Sequence, residues 1–402
     1  MDTNTNTNAP SKREYPTLAI LTHSDETRIF RGNQENFIDL IQTGAERGVL
    51  VYVMTTNDFK LSERKAVGYT YNAADKTWRR RLFPAPHVIY NRIPYRKFEL
   101  LPEVQQVIQT CMRQRRIRFF NPSFFNKWTL FEWLNHAKNT RSYIPVTKRL
   151  SSGEELDKLL AEYPFLYLKP IRGKAGKGIM KVSRSLLDTK SKIFELSIQE
   201  KTKSHISRYP SVSRLWSEVQ GLIGSKDYII QQGISLSSYK QRPFDLRLLV
   251  QKNGKGLWSV AGVGARLAGK LSITTHVPRG GSIDDPAKLL TYSFGGPESR
   301  RIITRAKKAA LTIAKQIEKS SGHTLGEMSM DLGVDQEGHI WFFEANSKPM
   351  KFDEPPIRKK SLENLILYSI YLFKHKPKSP LKKTAAFPLR TQPNAERDNL
   401  ER

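Results

Sequence analysis

A single cysteine, Cys111, occurs in 402 residues. That excludes a disulfide framework and any zinc site built on cysteine. The eight histidines are scattered, with no paired metal-ligand spacing. No uncharged apolar run approaches the roughly 20 residues that cross a bilayer, and the opening MDTNTNTNAP lacks the apolar stretch of a signal peptide. These absences set the expectation of a cytoplasmic protein in a reducing environment, with no membrane partner. Nucleophile motifs are missing as well: there is no G-x-S-x-G, and Cys111 stands without a matching histidine pattern. Acidic residues are scarce, 38 against 67 Lys and Arg, for a net charge of +29. Such a balance favours polyanionic neighbours, or is a solvated basic surface. No RNP-type aromatic motif, zinc finger or basic zipper accompanies it, so specific nucleic-acid binding is not expected.

What is present suffices for substantial cores: 38% of residues are hydrophobic and 10% aromatic. The length fits two or three domains of roughly 100–200 residues. Residues 1–14 read as a disordered polar tail. TLAILTH (17–23), a helical pattern over 36–48 and VLVYVMT (49–55) form a βαβ unit and predict a parallel sheet. A hairpin at 67–72 and 77–83, a strand at 87–92 and a helix at 101–116 complete an N-terminal α/β domain over 15–120.

A central domain is expected over 121–235. It opens with an aromatic-rich helix after NPSFFN, then a strand at 147–150 and a helix at 151–164. FLYLKPIRGKAGKGIMKVSR (165–184) reads as strand, glycine-rich loop, strand. The polar stretch 185–226 suggests helical pieces, and 227–236 an apolar strand. A C-terminal domain over 236–375 has strands at 244–251, 257–268 and 272–277. In its helix at 299–322, Ile302, Ile303, Ala306, Ala310, Ile313 and Ile317 form one apolar stripe. A hairpin within 326–349 and a buried helix at 361–373 follow. From Lys374 onward eight Lys and Arg, three acids and four prolines predict a disordered basic tail over 376–402.

Several groups could carry chemistry. In Arg172-Gly173-Lys174-Ala175-Gly176-Lys177-Gly178 three glycines let the backbone approach an anion and the cations add charge. No Lys-Ser/Thr opens a helix after it, so it is not a Walker A loop. It reads as a flap over a triphosphate or as a flexible basic hairpin tip. Asp331, Glu344 and Asn346 sit on two strands joined by the turn Asp335-Gln336-Glu337-Gly338. If those strands pair, Asp331 and Glu344 fall near diagonal positions on one face, and Glu344 and Asn346 share it. Hard oxygen donors of this kind suit Mg2+. Asp245 and Arg247 lie on one face of an apolar strand, as a structural ion pair or with the guanidinium turned to a phosphate. Arg266 poses the same choice. Gly280-Gly281, after His276 and Arg279, is a backbone-exposing loop suited to a carboxylate, or a plain turn.

Taken in order, Lys127, LYLKP, the glycine-rich loop, YIIQQGI, FDLR, the Arg266 strand, Gly280-Gly281, MDLGVD and FEANSKP resemble the ATP-grasp superfamily. Within it the chain resembles the YheC/YheD branch, endospore coat-associated proteins of spore-forming bacteria, over roughly 17–373. The resemblance implies an α/β (α+β) ATP-grasp fold: an N-terminal α/β domain, then a two-part module holding ATP between two antiparallel sheets. By position it implies that Lys127 and Lys169 contact phosphates and base, and that Gly173 to Gly178, with Lys174 and Lys177, close over the phosphates. Gln231, Gln232 and Ile234 would line the adenine pocket, where many relatives carry a carboxylate. Arg247 and Arg266 would hold the transferred phosphoryl group, with Asp245 beside the nucleotide and Arg266, Gly280 and Gly281 toward the second substrate. Asp331, Glu344 and Asn346 would bind one or two Mg2+. The implied activity is carboxylate–amine ligation through an acylphosphate, in the sporulating cell's cytoplasm or at the spore coat. Implied partners are ATP, a carboxylate, an amine, and coat components or an anionic polymer. The other reading is a coat structural or binding protein that keeps the fold and binds nucleotide without turnover.

Overall fold

The computed structural model describes residues 16–60, 64–172, 176–184 and 193–375. The expected tails, and Gly173 and Lys174 of the glycine-rich loop, lie outside the described residues. Strands Arg118–Phe120, Val88–Asn91, Thr17–Thr22 and Leu50–Thr55 run parallel and adjacent, and the hairpin Lys65–Asn72 with Thr77–Pro84 extends the sheet antiparallel. Thr17–Thr22 is buried at every position, as a central parallel strand covered on both faces must be. Phe37 and Leu40 of the helix Gln34–Glu46 pack on one face. Val104, Ile108 and Cys111 of the helix Pro102–Arg113 pack on the other. Burial pushes the Cys111 thiol up to about 12, so it stays protonated and structural.

A second, wholly antiparallel sheet runs in the order Lys203–Tyr209, Phe194–Glu200, Met180–Arg184, Phe165–Pro170, Tyr228–Gln232, Thr147–Arg149. Two of these strands correct the sequence reading, which put helical pieces across 185–226. Phe194–Glu200 buries Phe194 and Leu196 on one face. Its partner Lys203–Tyr209 is an edge strand, mostly exposed, and carries no apolar run to mark it. Among the described residues of that stretch, only Val212–Ile223 is helical.

The third sheet is antiparallel, in the order Ser282–Asp284, Trp258–Leu267, Arg242–Lys252, Glu327–Val334, Ile340–Asn346. The long helix Gly296–Ser321 covers it with Ile302, Ala306, Ala310, Ile313 and Ile317 fully buried, while Ile303 is only partly buried at the core's margin. Gly322 ends the helix at φ 64°, where L side chains are disfavoured. A second helix, Pro286–Phe294, precedes it and was not anticipated.

Three further expectations need correction. The helix Lys127–His136, grouped with the central domain, inserts Leu130, Phe131 and Leu134 into the core of the third sheet. Residues 272–277 form no strand. Gln199 of the second sheet accepts hydrogen bonds from the Ile273 N–H (2.9 Å) and the Ser272 hydroxyl (2.9 Å), so the segment is held as a loop between the two sheets. The last helix starts earlier than expected, at Pro355, and runs to Lys374. It packs Leu365, Ile366, Tyr368 and Leu372 against the N-terminal sheet.

Candidate active site

The second and third sheets enclose a cleft of about 230 Å³. Strand register explains how residues distant in sequence meet there. Arg247 pairs with Asp331, Asp331 with Glu344, and Asp245 with Arg266. Asp331 and Glu344 are therefore directly opposite, not diagonal. The pairing slips between Asp331 and Leu332, so that Leu332 faces Phe342. This bulge leaves Phe343 without a partner and lets both Phe343 and Glu344 line the cleft, which regular alternation forbids.

The charges form one connected cluster. Arg266 donates to Asp245 through Nε (3.0 Å) and Nη2 (2.7 Å), and its Nη2 also lies 2.9 Å from Asp331 Oδ2. The Thr275 hydroxyl donates to Asp245 at 2.6 Å. Neither of the two options foreseen for Asp245 describes it fully, since its ion-pair partner is Arg266 and not Arg247. Arg247 lies 3.5 Å from Asp331 Oδ1. Burial alone would raise the Asp331 carboxyl, but the guanidiniums of Arg266 and Arg247 outweigh it and hold the group below its ordinary range. Even so, Asp331 Oδ1 is buried and has no hydrogen-bond partner among the described residues. Lys127, the first residue of its helix, places Nζ 3.5 Å from Glu344.

At the second sheet, Lys169 Nζ donates to Gln231 Oε1 at 2.5 Å, and Gln231 Nε2 donates to the Thr147 hydroxyl at 2.8 Å. Burial, with Lys127 nearby, lowers the Lys169 ammonium to about 8. The rings of Tyr167 and Phe343 sit 5.4 and 5.3 Å from its Nζ. Gln232 accepts from the Val146 N–H at 3.1 Å. Ile234 lies just past the end of its strand and lines the cleft with Gln231 and Gln232.

The remaining expected residues divide. Gly176 packs against the His276 ring, and Gly178 accepts a hydrogen bond from the Tyr228 hydroxyl at 3.1 Å. Lys177 is exposed. Asn346, half-buried, is paired with Ser329 two positions beyond Glu344 on the same strand. Gly280 and Gly281 are not in the cleft wall; the segment 273–276 before them is. A Cβ on Gly281 would fall 2.3 Å from the Thr275 carbonyl oxygen, so these glycines let the loop fold tightly enough to present Thr275 and His276.

His276 is the main residue that the sequence reading named but did not weigh. One of its ring nitrogens lies within 4.8 Å of carboxylate oxygens of both Asp331 and Glu344. Its Nδ1 is buried without a hydrogen-bond partner among the described residues. Burial, helped by Arg266, lowers the imidazole to about 4. A lone histidine in a loop carries no sequence signal, and only the fold brings it to the acids. Asn121, at the start of NPSFFN, likewise carries no sequence signal of its role. At φ 55°, its amide donates to the Glu327 carbonyl (2.9 Å) and to the Ser347 carbonyl, and accepts from the Gly326 N–H (2.7 Å). It fastens both strands that carry Asp331 and Glu344 to the N-terminal domain.

A cleft between two antiparallel sheets, a glycine-rich hairpin on one and acids and arginines on the other, defines the ATP-grasp class of fold. VanG D-Ala:D-Ser ligase from Enterococcus faecalis shares this fold at 14% identity and a TM-score of 0.51, over 90% of this chain and 100% of that one. A family model for YheC/D-like ATP-grasp proteins matches residues 116–372, and the chain belongs to that family. It is 30% identical over 323 residues to the endospore coat-associated protein YheD of Bacillus subtilis (strain 168), covering 80% of this chain and 69% of that protein. Identity to YheC of the same organism, also an endospore coat-associated protein, is 22% over 77% of this chain and 84% of that one. No helix among the described residues is long and apolar enough to cross a membrane.

Proposed function

We propose that the protein is an ATP- and Mg2+-dependent ligase that joins a carboxylate to an amine through an acylphosphate, acting in sporulation or at the spore coat. One observation carries the reading. Two carboxylates, Asp331 and Glu344, and three cations, Arg247, Arg266 and Lys127, converge from separate elements. All of these but Arg247 line the cleft, with Lys169 and Gln231.

The donor set fits a hard divalent cation. Two adjacent carboxylates are present, and one buried oxygen, Asp331 Oδ1, makes no hydrogen bond among the described residues and has only Arg247 at 3.5 Å, which leaves it open to a hard cation. Asp331 and Glu344, with Asn346 on the same strand, would hold Mg2+; when bound, the ion screens phosphate charge and polarises the phosphoryl group. Arg247 and Arg266 are placed to neutralise charge on the transferred phosphoryl group, Arg266 being fixed beforehand by Asp245. Lys169 reaches the nucleotide, with Gln231, Gln232 and Ile234 toward its base. The glycine-rich hairpin, Gly176 and Gly178 included, excludes water from above. Asp245 acts by orienting Arg266, and Gly280 and Gly281 by shaping the loop that faces the second substrate. Chemistry of this type needs positioning and charge neutralisation more than acid–base groups.

Incubation with ATP, Mg2+ and panels of acid and amine substrates tests it. Phosphate release that depends on both substrates and is lost in Asp331→Asn and Glu344→Gln is the expected result. No release with any pair, the variants indistinguishable from wild type in ATP binding, would overturn it. Tight Mg–ATP binding without turnover would assign the non-catalytic coat role instead.

A further inference from the structure

We propose that His276 is a ligand of the cation site formed by Asp331 and Glu344, making it a mixed nitrogen–oxygen site that favours Mn2+ over Mg2+. The inference rests on the metal-binding reading above and adds a donor, and a metal preference, to it.

The observations are geometric. An imidazole nitrogen and one carboxylate oxygen each from Asp331 and Glu344 all lie within 4.8 Å of one another. Donors around an octahedral ion at about 2.1 Å stand about 3 Å apart when adjacent and about 4 Å when opposite. Small side-chain rotations therefore bring all three into one shell. Two of the three residues each keep a buried polar atom with no hydrogen-bond partner among the described residues, Asp331 Oδ1 and His276 Nδ1. Buried polar atoms are almost always satisfied, and two orphans in one cluster mark a place for a shared partner. Asp331 Oδ2 is held by Arg266 at 2.9 Å, whereas Oδ1 has only the longer 3.5 Å approach of Arg247, so Oδ1 is the oxygen more available to an ion.

The imidazole is also held in place. Its loop is folded back by the close approach of Gly281 to Thr275, with the Gly281 N–H donating to the His276 carbonyl at 3.2 Å. The ring is covered by Gly176, where a Cβ would come within 3.3 Å of it. Thr275, the preceding residue, is anchored to Asp245. The glycine-rich hairpin thus rests directly on the proposed ligand.

An all-oxygen set suits Mg2+, which rarely takes nitrogen, whereas imidazole beside carboxylates suits first-row transition ions. The test uses Mn2+ with ADP and full-length protein carrying 15N-labelled histidine, read by pulsed electron paramagnetic resonance. Wild type is expected to show 31P coupling from ADP and 15N coupling from one imidazole. His276→Gln should keep the 31P coupling, lose the 15N coupling, and bind Mn2+ about tenfold more weakly with Mg2+ affinity nearly unchanged. Asp331→Asn should lose the ion. Phosphorus coupling without nitrogen coupling in wild type, and unaltered Mn2+ affinity in His276→Gln, would sink the histidine ligand and leave the ligase reading intact. Mn2+ bound equally by wild type and Asp331→Asn, or not bound at all, would remove the carboxylate site and the inference with it.

Discussion

Asp245 and Arg266 face one another on adjacent strands and are joined by two hydrogen bonds, at 3.0 and 2.7 Å, with Arg266 reaching on to Asp331. The three groups are nearly inaccessible to solvent. Removing one partner from such a buried pair leaves an uncompensated charge and costs about 3–5 kcal/mol. Asp245→Ala is expected to lower stability by that amount in denaturant titrations, and Asp245→Asn by less, since the amide oxygen still accepts from Arg266. If Asp245 serves as a brace for Arg266, both variants lose kcat more than they raise the KM for ATP.

The carboxylate pair predicts a ligand-dependent effect. With Mg–ATP at about 100 times its Kd, wild type gains about 2.7 kcal/mol of stability. Asp331→Asn and Glu344→Gln should shrink that gain to near zero, each compared with its own unliganded baseline. The difference matters because Asp331 also partners Arg266, so its loss lowers basal stability as well. Thermal shift with and without EDTA measures both quantities.

Lys169 sets a pH dependence. Burial, then Lys127, lowers its ammonium from 10.5 to about 8. In the free protein the unfolded chain therefore binds more protons between pH 8 and 10.5, and this group's contribution to stability rises with pH across that window. A nucleotide phosphate favours the charged form and drives proton uptake on binding. ATP affinity should fall as pH rises through 8, and calorimetry in buffers of different ionisation enthalpy should detect the proton taken up. Lys169→Arg keeps the charge throughout and should flatten both responses.

Asn121 fastens the hairpin that carries Asp331 and Glu344 to the N-terminal sheet through three backbone groups of residues about two hundred positions away. Asn121→Ala leaves those buried groups unpaired, at about 1–3 kcal/mol, and places a Cβ-bearing residue without a local hydrogen bond at φ 55°. We expect a loss of about 3 kcal/mol overall by chemical denaturation. Asn121→Asp should recover part of it, because the acceptor for the Gly326 N–H remains.

The sequence marked the apolar strands of the first sheet and the hairpin that carries Asp331 and Glu344 because those features are written locally. TLAILTH and VLVYVMT are apolar because parallel strands are buried on both faces, and Asp331 and Glu344 flank a turn that only a hairpin explains. What stayed hidden depends on partners far along the chain. Lys203–Tyr209 is a strand because Phe194–Glu200 offers it an edge, not because its polar residues prefer one. Residues 272–277 look like a strand, yet Gln199 and Tyr167 claim their backbone. The Asp331–Leu332 slip that puts Phe343 and Glu344 on one side is a property of pairing, and alternation along a single strand misplaces it. His276 joins the acids through a loop whose path the glycines permit but do not announce.

The helix Pro355–Lys374 returns from the third sheet to lie on the first, where Arg358 reaches Asn36 across 322 positions. Its leucines and Tyr368 finish the apolar face begun by Leu18 and Ile20. Loops this long close slowly, so during synthesis the first sheet waits, one side covered only in part by the helix Gln34–Glu46, while everything between is made. A ribosome-bound chain stopped at residue 350 would expose that face to chaperones, and the first domain would mature among the last.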